Sequence, residues 1–253
     1  MILKMKKILK INDIYKNFGG IEVIKNFSLS LDSGSKVALI GPNGAGKTTI
    51  FNLISGVYPI DRGSIIINDK DITSLPAYKR IRFGIARSFQ NIRLMPHLSV
   101  IENVLMGQHA LASNFATLFR PIHFGEGSKD KLEAKNLLDK FGINVPPEEI
   151  VSNLPYGLQK RIEVVRALMA KPSLLLLDEP TAGLNKEESD QLSLMLNQIS
   201  SDGTTILLVE HNMRFVNNFV EHTVVLNFGE KIYEGPPLLA QKDKQVREAY
   251  LGK

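Results

Sequence analysis

The sequence predicts an α/β fold: a mostly parallel sheet with helices on both faces, an N-terminal antiparallel β subdomain and an inserted α-helical subdomain. Three observations carry this. Apolar strand-like runs alternate with helix-period segments, which favours parallel pairing. A glycine-rich turn, GPNGAGKT, joins one such run to a helical segment. Between two parts of the alternating pattern, residues from about 91 to 170 show mainly helical periodicity.

The elements follow in order. KILKINDIYKNF and VIKNFSLSLDSG alternate apolar and polar residues and read as antiparallel strands. Lys4, Lys6, Lys7 and Lys10 interleave with apolar residues, which suggests a strand edge with outward charges. SKVALIG is a short apolar run and predicts a buried strand. IFNLISG is apolar at helical spacing and stops at a glycine. GSIIINDKDI reads as one further strand. SVIENVLMGQHALASNF, KDKLEAKNLLDKF and GLQKRIEVVRALMA are the helices of the inserted block, with loops such as RPIHFGEGS between them. SLLLLDEP, KEESDQLSLMLNQIS, TTILLVEH and MRFVNNFV then alternate strand and helix. HTVVLNF with EKIYEG closes as a hairpin.

Composition bounds the function. The chain has 253 residues, 43% hydrophobic and 23% charged, which fits one large globular domain or two small ones. A net charge of +5 is compatible with phosphorylated ligands, anionic lipid or nucleic acid, and equally with a plain solvated surface. There is no cysteine, hence no disulfide, as in a reducing cytosol. No apolar run approaches the roughly 18–20 residues that cross a bilayer, and no signal-peptide core is seen. The expectation is a cytoplasmic protein that reaches a membrane only through partners.

Residues Gly41, Pro42, Asn43, Gly44, Ala45, Gly46, Lys47 and Thr48 fill every fixed position of the phosphate-loop pattern. Thr49 continues into the helix. Glycines let the backbone wrap an anion with successive N–H groups pointing inward, and the helix N-terminus adds positive potential. Lys47 can reach the β- and γ-phosphates, and the Thr48 hydroxyl can ligate Mg²⁺. In LLLLDEP, Asp178 and Glu179 emerge at the C-terminal end of a buried strand, where open α/β sheets bind ligands. Asp178 can hold Mg²⁺ through water, and Glu179 can polarise an attacking water as general base. The same pair would also suit an acidic helix N-terminus. His211, after TTILLVE, would come to the same edge and could donate to the γ-phosphate. Gln90, after FGIA, could ligate Mg²⁺ or orient water. Neither residue is informative alone.

Together these motifs resemble the ATP-binding-cassette (ABC) ATPases, a phosphate-loop NTPase family, over essentially the whole chain. GPNGAGKT is similar to the family's Walker A motif, LLLLDEP to Walker B, SFQ to the Q-loop, AGLN to the D-loop and VEH to the switch histidine. LPYGLQ falls where the family signature belongs. Phe18 matches the aromatic position that stacks on adenine. Two departures stand out: Pro155 and Tyr156 replace the usual serine and first glycine of the signature, while Gly157 keeps the second; and Asn185 replaces the usual D-loop aspartate. The resemblance implies ATP and Mg²⁺ as ligands, transmembrane permeases as partners and no nucleic acid. It further implies a head-to-tail dimer with an identical or homologous ATPase, in which Pro155, Tyr156, Gly157 and Gln159 cap the other subunit's ATP. IARSFQNIRLMPHLSVIENVLMGQH, the segment ALASNFATLFRPIHFGEG and the ending AYLGK are similar to ATPases of branched-chain amino-acid importers. Relatives for urea or amide uptake and lipopolysaccharide export stay open. A non-transport cassette fits less well, since the chain has one phosphate loop and no long heptad coil. The permeases are expected on a groove formed by Gln90 to about Phe124, with Leu94 and Met95 at the contact.

Overall fold

The computed structural model describes residues 6–88, 90–109 and 129–251. Two sheets share the work. Strands β1 (Lys7–Phe18), β2 (Ile21–Asp32), β4 (Arg62–Ile67) and β5 (Lys70–Asp71) form an antiparallel sheet in the order β2-β1-β4-β5. The second sheet runs β10-β9-β3-β8-β7-β6, from β3 (Lys36–Ile40), β6 (Ile85–Arg87), β7 (Leu174–Asp178), β8 (Thr205–Val209), β9 (His222–Asn227) and β10 (Glu230–Gly235). All its pairings are parallel except the closing β9–β10 hairpin.

The central strands β3, β7 and β8 of the second sheet are apolar without alternation because both faces are covered. Ala38, Ile40, Leu175, Leu177, Ile206 and Leu208 face one core, shared with the helices Val100–His109 (α3), Lys129–Lys140 (α4), Tyr156–Leu168 (α5), Lys186–Ser201 (α6) and Met213–Phe219 (α7). Val37, Leu39, Leu174, Leu176, Leu207 and Val209 face the other. There they meet Ile50, Phe51, Leu53 and Ile54 of helix α1 (Lys47–Ser55) and the inner face of the antiparallel sheet. Helix α1 is thus held between two sheets, which fixes the turn that precedes it. Helices α3, α4 and α5 all fall between β6 and β7 in the chain, as the block at 91–170 predicts.

Two expectations change, and two unassigned stretches prove helical. GSIIINDKDI is a hairpin, not one strand: Asn68 and Asp69 both take positive φ, 49° and 60°, and turn β4 back into β5. Asn and Asp tolerate that conformation, and an apolar pattern does not reveal it. Strand β1 is not an edge. It pairs with β2 on one side and β4 on the other, and Lys7 and Lys10 reach outward to Asp32 and Asp69. After β10, two short helices, Pro237–Ala240 (α8) and Lys244–Leu251 (α9), extend a tail that the sequence reading leaves unassigned. Between α1 and β6 lies a further helix, Ala77–Arg80 (α2). The segment ALASNFATLFRPIHFGEG, Lys4, Phe89 and the last two residues of AYLGK lie outside the described residues.

Candidate active site

Strand register builds the site. Asp178 of β7 pairs with Val209 of β8, and Val209 pairs with Leu39 of β3. The three strands therefore end together, and the chain leaves each at the same edge: Gly41 after β3, Glu179 after β7, Glu210 and His211 after β8. The side chains that sequence analysis singles out on separate motifs are brought to one place by this alignment.

The phosphate loop is shaped by what surrounds it. Gly41 has φ 150°, and a Cβ there would stand 2.1 Å from the Leu226 carbonyl oxygen, so no larger residue fits. Pro42 is half-buried and Ala45 is buried, while Asn43, Gly44 and Thr48 are exposed at the mouth. Gly46 precedes α1, and Thr49 is half-buried in its first turn. Lys47 is only 6% exposed. Its Nζ folds back to donate to the carbonyls of Gly41 at 2.7 Å and Pro42 at 2.9 Å. Burial pulls its pKa below the usual lysine value, and the nearby carboxylates of Glu179 and Asp178 oppose that pull.

Glu179 takes φ 46°, an uncommon left-handed position for a non-glycine residue, held by its N–H bond to the Val209 carbonyl at 2.9 Å. Its two carboxylate oxygens are both engaged. Oε2 accepts from Gln90 Nε2 at 2.9 Å, and Oε1 lies 3.1 Å from His211 Nε2. Asp178 is buried and pairs with Arg87. Phe18 is 38% exposed, edge-on to Tyr58 with ring centroids 5.1 Å apart, and Lys16 Nζ stands 5.2 Å from its centroid.

The signature forms the start of α5. Pro155 is its N-cap, with φ −54° and ψ 147°, one position before the first helical turn. The pyrrolidine ring suits that φ, and the carbonyl still accepts the N–H groups of Leu158 and Gln159, both at 3.1 Å. No side chain caps the helix, so the N–H groups of Tyr156 and Gly157 are those a helix N-terminus offers to an outside acceptor. Gln159 turns its amide back to the Leu154 carbonyl at 2.8 Å. Gly157 is seated on Glu188, whose carboxylate would stand 2.6 Å from an added Cβ. The Tyr156 ring covers Gly183 of the D-loop segment. Asn185 keeps the role an aspartate would have as a helix cap: its side chain accepts from Glu188 N, and Glu188 returns the bond to Asn185 N.

Sequence analysis missed several residues that hold these groups. Glu210 is 3% exposed. It accepts from Thr181 N and Oγ1 with one oxygen and from His211 N and Asn212 N with the other. Lys160 donates to the Gln90 carbonyl at 2.6 Å. Glu163 accepts from Arg93 N, and Arg166 donates to the Arg93 carbonyl. The signature helix therefore grips both ends of the segment from Gln90 to Arg93. Burial raises the Glu163 pKa, with the Arg93 N–H and nearby cations opposing it. Asn103, fully buried, does the same for the turn at Met95 to Ser99. Only VEH carried a sequence signal for any of these, and there the histidine drew the attention.

Glu210→Ala is expected to leave four donors without their acceptor, the two on Thr181 buried and those of His211 and Asn212 part-buried. Each such loss costs about 1–3 kcal/mol, so urea unfolding should show a loss of several kcal/mol, against little change for an exposed control such as Glu187→Ala. An unchanged midpoint would show that Glu210 does not organise these two turns.

Residues 24–182 match the family model described as ABC transporter. The chain belongs to the ABC transporter family. Its similarity to curated members is full-length. It is 36% identical over 98% of both chains to the high-affinity branched-chain amino acid transport ATP-binding protein BraF of Pseudomonas aeruginosa. It is also 36% identical to LivG of Escherichia coli, a protein of the same description, over 97% of this chain and 98% of that one. The lipopolysaccharide export system ATP-binding protein LptB of Escherichia coli is 33% identical over 96% and 97%. Among solved structures, an ABC transporter's ATP-binding cassette in its ADP conformation matches with TM-score 0.88 and 29% identity, over 98% of this chain and all of that one. A dimeric cassette in a post-hydrolysis state with ADP and phosphate matches with TM-score 0.74 and 25% identity, over 91% and 99%. This ABC protein is an ATP-binding, ATP-hydrolysing cassette. Among the described residues, no helix is long and apolar enough to cross a membrane.

Proposed function

We propose that this ABC ATPase energises import of branched-chain amino acids through membrane permeases, from the cytoplasmic face. The full-length 36% identity to BraF and LivG carries the reading. The chain acts as one cassette over residues 1–253, with the block at 91–170 as its helical subdomain. The test is uptake of labelled leucine, isoleucine and valine in cells lacking this chain, with the intact chain restored as control. Uptake should fall and return. Unchanged uptake of all three would overturn the amino-acid assignment and turn the search to amides or lipopolysaccharide.

In this reading ATP sits on the loop Gly41–Thr49, with adenine against Phe18 and the γ-phosphate towards Lys47 and His211. Mg²⁺ fits the donors present, since Thr48, Gln90 and Asp178 offer hard oxygens, and no group of three or more His, Cys, Asp or Glu residues that could hold a metal unaided occurs among the described residues. Thr48 and Asp178 would hold it, with Gln90 beside them. When bound, the ion offsets negative charge on the phosphate oxygens. Glu179 takes the proton of the attacking water. Gln90 and His211, already on its two oxygens, orient that carboxylate. A second cassette, identical or homologous, completes the site: the exposed start of α5 at Pro155 and Tyr156, with Gly157 and Gln159, meets the ATP of the other subunit by its N-terminal N–H groups.

For the permease site, the geometry supports another place than the one the sequence suggested. Leu94 is 8% exposed and belongs to the helical core, which speaks against it as a contact; Met95 is exposed. The groove's far end, to Phe124, lies outside the described residues. A cleft of about 320 Å³ between the two halves, lined by Ala77, Ile81, Ala86, Met106, Ala167 and Ala170, is the better seat for a permease helix. Ala77 is exposed and is none of the candidate site residues. Ala77→Glu should cut transport while basal ATPase stays near wild type. Normal transport would exclude the cleft.

A further inference from the structure

Arg87, the last residue of β6, lies where three elements meet. Its Nη1 donates to Asn52 Oδ1 at 2.7 Å and Ser55 Oγ at 3.1 Å, both on α1. Its Nη2 donates to Asp178 Oδ2 at 3.0 Å. The side chains of this ion pair are 9% and 10% exposed. The guanidinium carbon stands 5.7 Å from the centroid of the Phe51 ring, also on α1.

We propose that Arg87 is a positioning residue for the metal: it fixes the Asp178 carboxylate in one orientation and ties it to the helix that begins with Lys47 and Thr48. The guanidinium is planar with donors in fixed directions. Its hold on Asn52 and Ser55 therefore sets where Nη2 points, and Nη2 sets Oδ2. With Oδ2 held by Nη2, the carboxylate is presented to the metal in a set orientation. Desolvation offsets most of the attraction in a buried ion pair, so such a pair is a weak stabilising device. A defined carboxylate orientation is what this one supplies. Outer-shell partners of metal ligands act in this way, and losing one typically costs about 10–100-fold in metal affinity. Arg87 also lines the cleft proposed for the permease, so one side chain borders both the docking seat and the metal carboxylate.

The proposal rests on Asp178 being the metal carboxylate, and the experiment separates the two. Binding of a fluorescent ATP analogue to the full chain is titrated with Mg²⁺, and measured again in EDTA. Asp178→Asn tests the underlying reading: it should raise the Mg²⁺ concentration for half-maximal effect, and no shift would overturn that reading together with the proposal. Arg87→Gln should raise the same concentration about tenfold or more, with nucleotide affinity in EDTA within about twofold of wild type. A shift in Asp178→Asn with none in folded Arg87→Gln overturns the role of Arg87 alone. An equal loss of affinity with and without Mg²⁺ also overturns it, since that is what general damage to the site produces. If Arg87→Gln does not fold, Asn52→Ala decides: it keeps the cation and removes the shorter of its two anchors on α1. A rise of about fivefold, the worth of one hydrogen bond, supports the proposal, and an unchanged Mg²⁺ dependence overturns it.

Discussion

Glu179→Gln should slow ATP hydrolysis by at least about 10²-fold while nucleotide affinity stays within a few-fold of wild type. The magnitude is that of a lost general base. The retained affinity follows from the geometry: Glu179 stands after β7, whereas the loop that wraps the phosphates stands after β3. Glutamine is nearly the same shape, so the left-handed turn at residue 179 and its N–H bond to Val209 survive. Its amide keeps one acceptor oxygen where the carboxylate had two, so Gln90 or His211 must give up its contact or turn its own group. What disappears is the capacity to take a proton from water. Single-turnover hydrolysis measures the loss, and sedimentation in ATP should show a dimer accumulating because closure is no longer followed by hydrolysis. Hydrolysis at the wild-type rate would remove Glu179 from the role of base.

Lys47→Ala should reduce ATP affinity or turnover by about 10²–10³-fold, the scale of removing one preorganised charge from a reacting oxyanion. Lys47 lies across its own loop on the carbonyls of Gly41 and Pro42. Those bonds hold the amine ready and keep it from the neighbouring carboxylates. Alanine removes the cation and leaves both carbonyls without this donor. Lys47→Arg should not rescue fully, because a wide planar group does not enter a slot cut for an ammonium. There is a pH signature as well. Burial lowers the pKa of Lys47 from the usual 10.5, so the folded state disfavours the charged form. That strain is present while the lysine is protonated and is relieved as pH rises through the lowered value. ATP affinity should move the opposite way: it falls as pH rises, and starts to do so before the usual 10.5 is reached. Equilibrium binding across alkaline pH, with Lys47→Ala as the flat reference, checks both directions.

Much of this protein was legible along the chain. A run such as KVALI or LLLLD has no polar position to turn outward, so it must be covered on both faces, and the sheet needs helices on either side. GPNGAGKT carries its own reason for its shape, because the glycine positions and the following helix are local requirements of wrapping an anion. Asp178, Glu179 and His211 could be placed on one edge once their strands were read as neighbours.

Other features depended on partners the sequence does not mark. Arg87 meets Asp178 across 91 residues, Lys160 meets the Gln90 carbonyl across 70, and Glu210 meets Thr181 across 29. A charged residue in a helix or at a strand end looks the same in sequence whether it faces water or a buried carbonyl. Leu94 shows the converse: an apolar residue in a loop reads as a docking contact until the fold closes α3 and its neighbours over it. Pro155 lies between. Its identity forbids a helix interior, but only the structure places it at the cap, where the lost N–H costs the helix nothing. The sequence by itself determined which motifs carry the candidate site residues and which strands lie in the core, because those follow from local periodicity and local turn geometry. The tertiary structure alone decided which side chains hold the reacting groups still, because that is set by long-range strand register and by the burial of charges against partners distant in the chain.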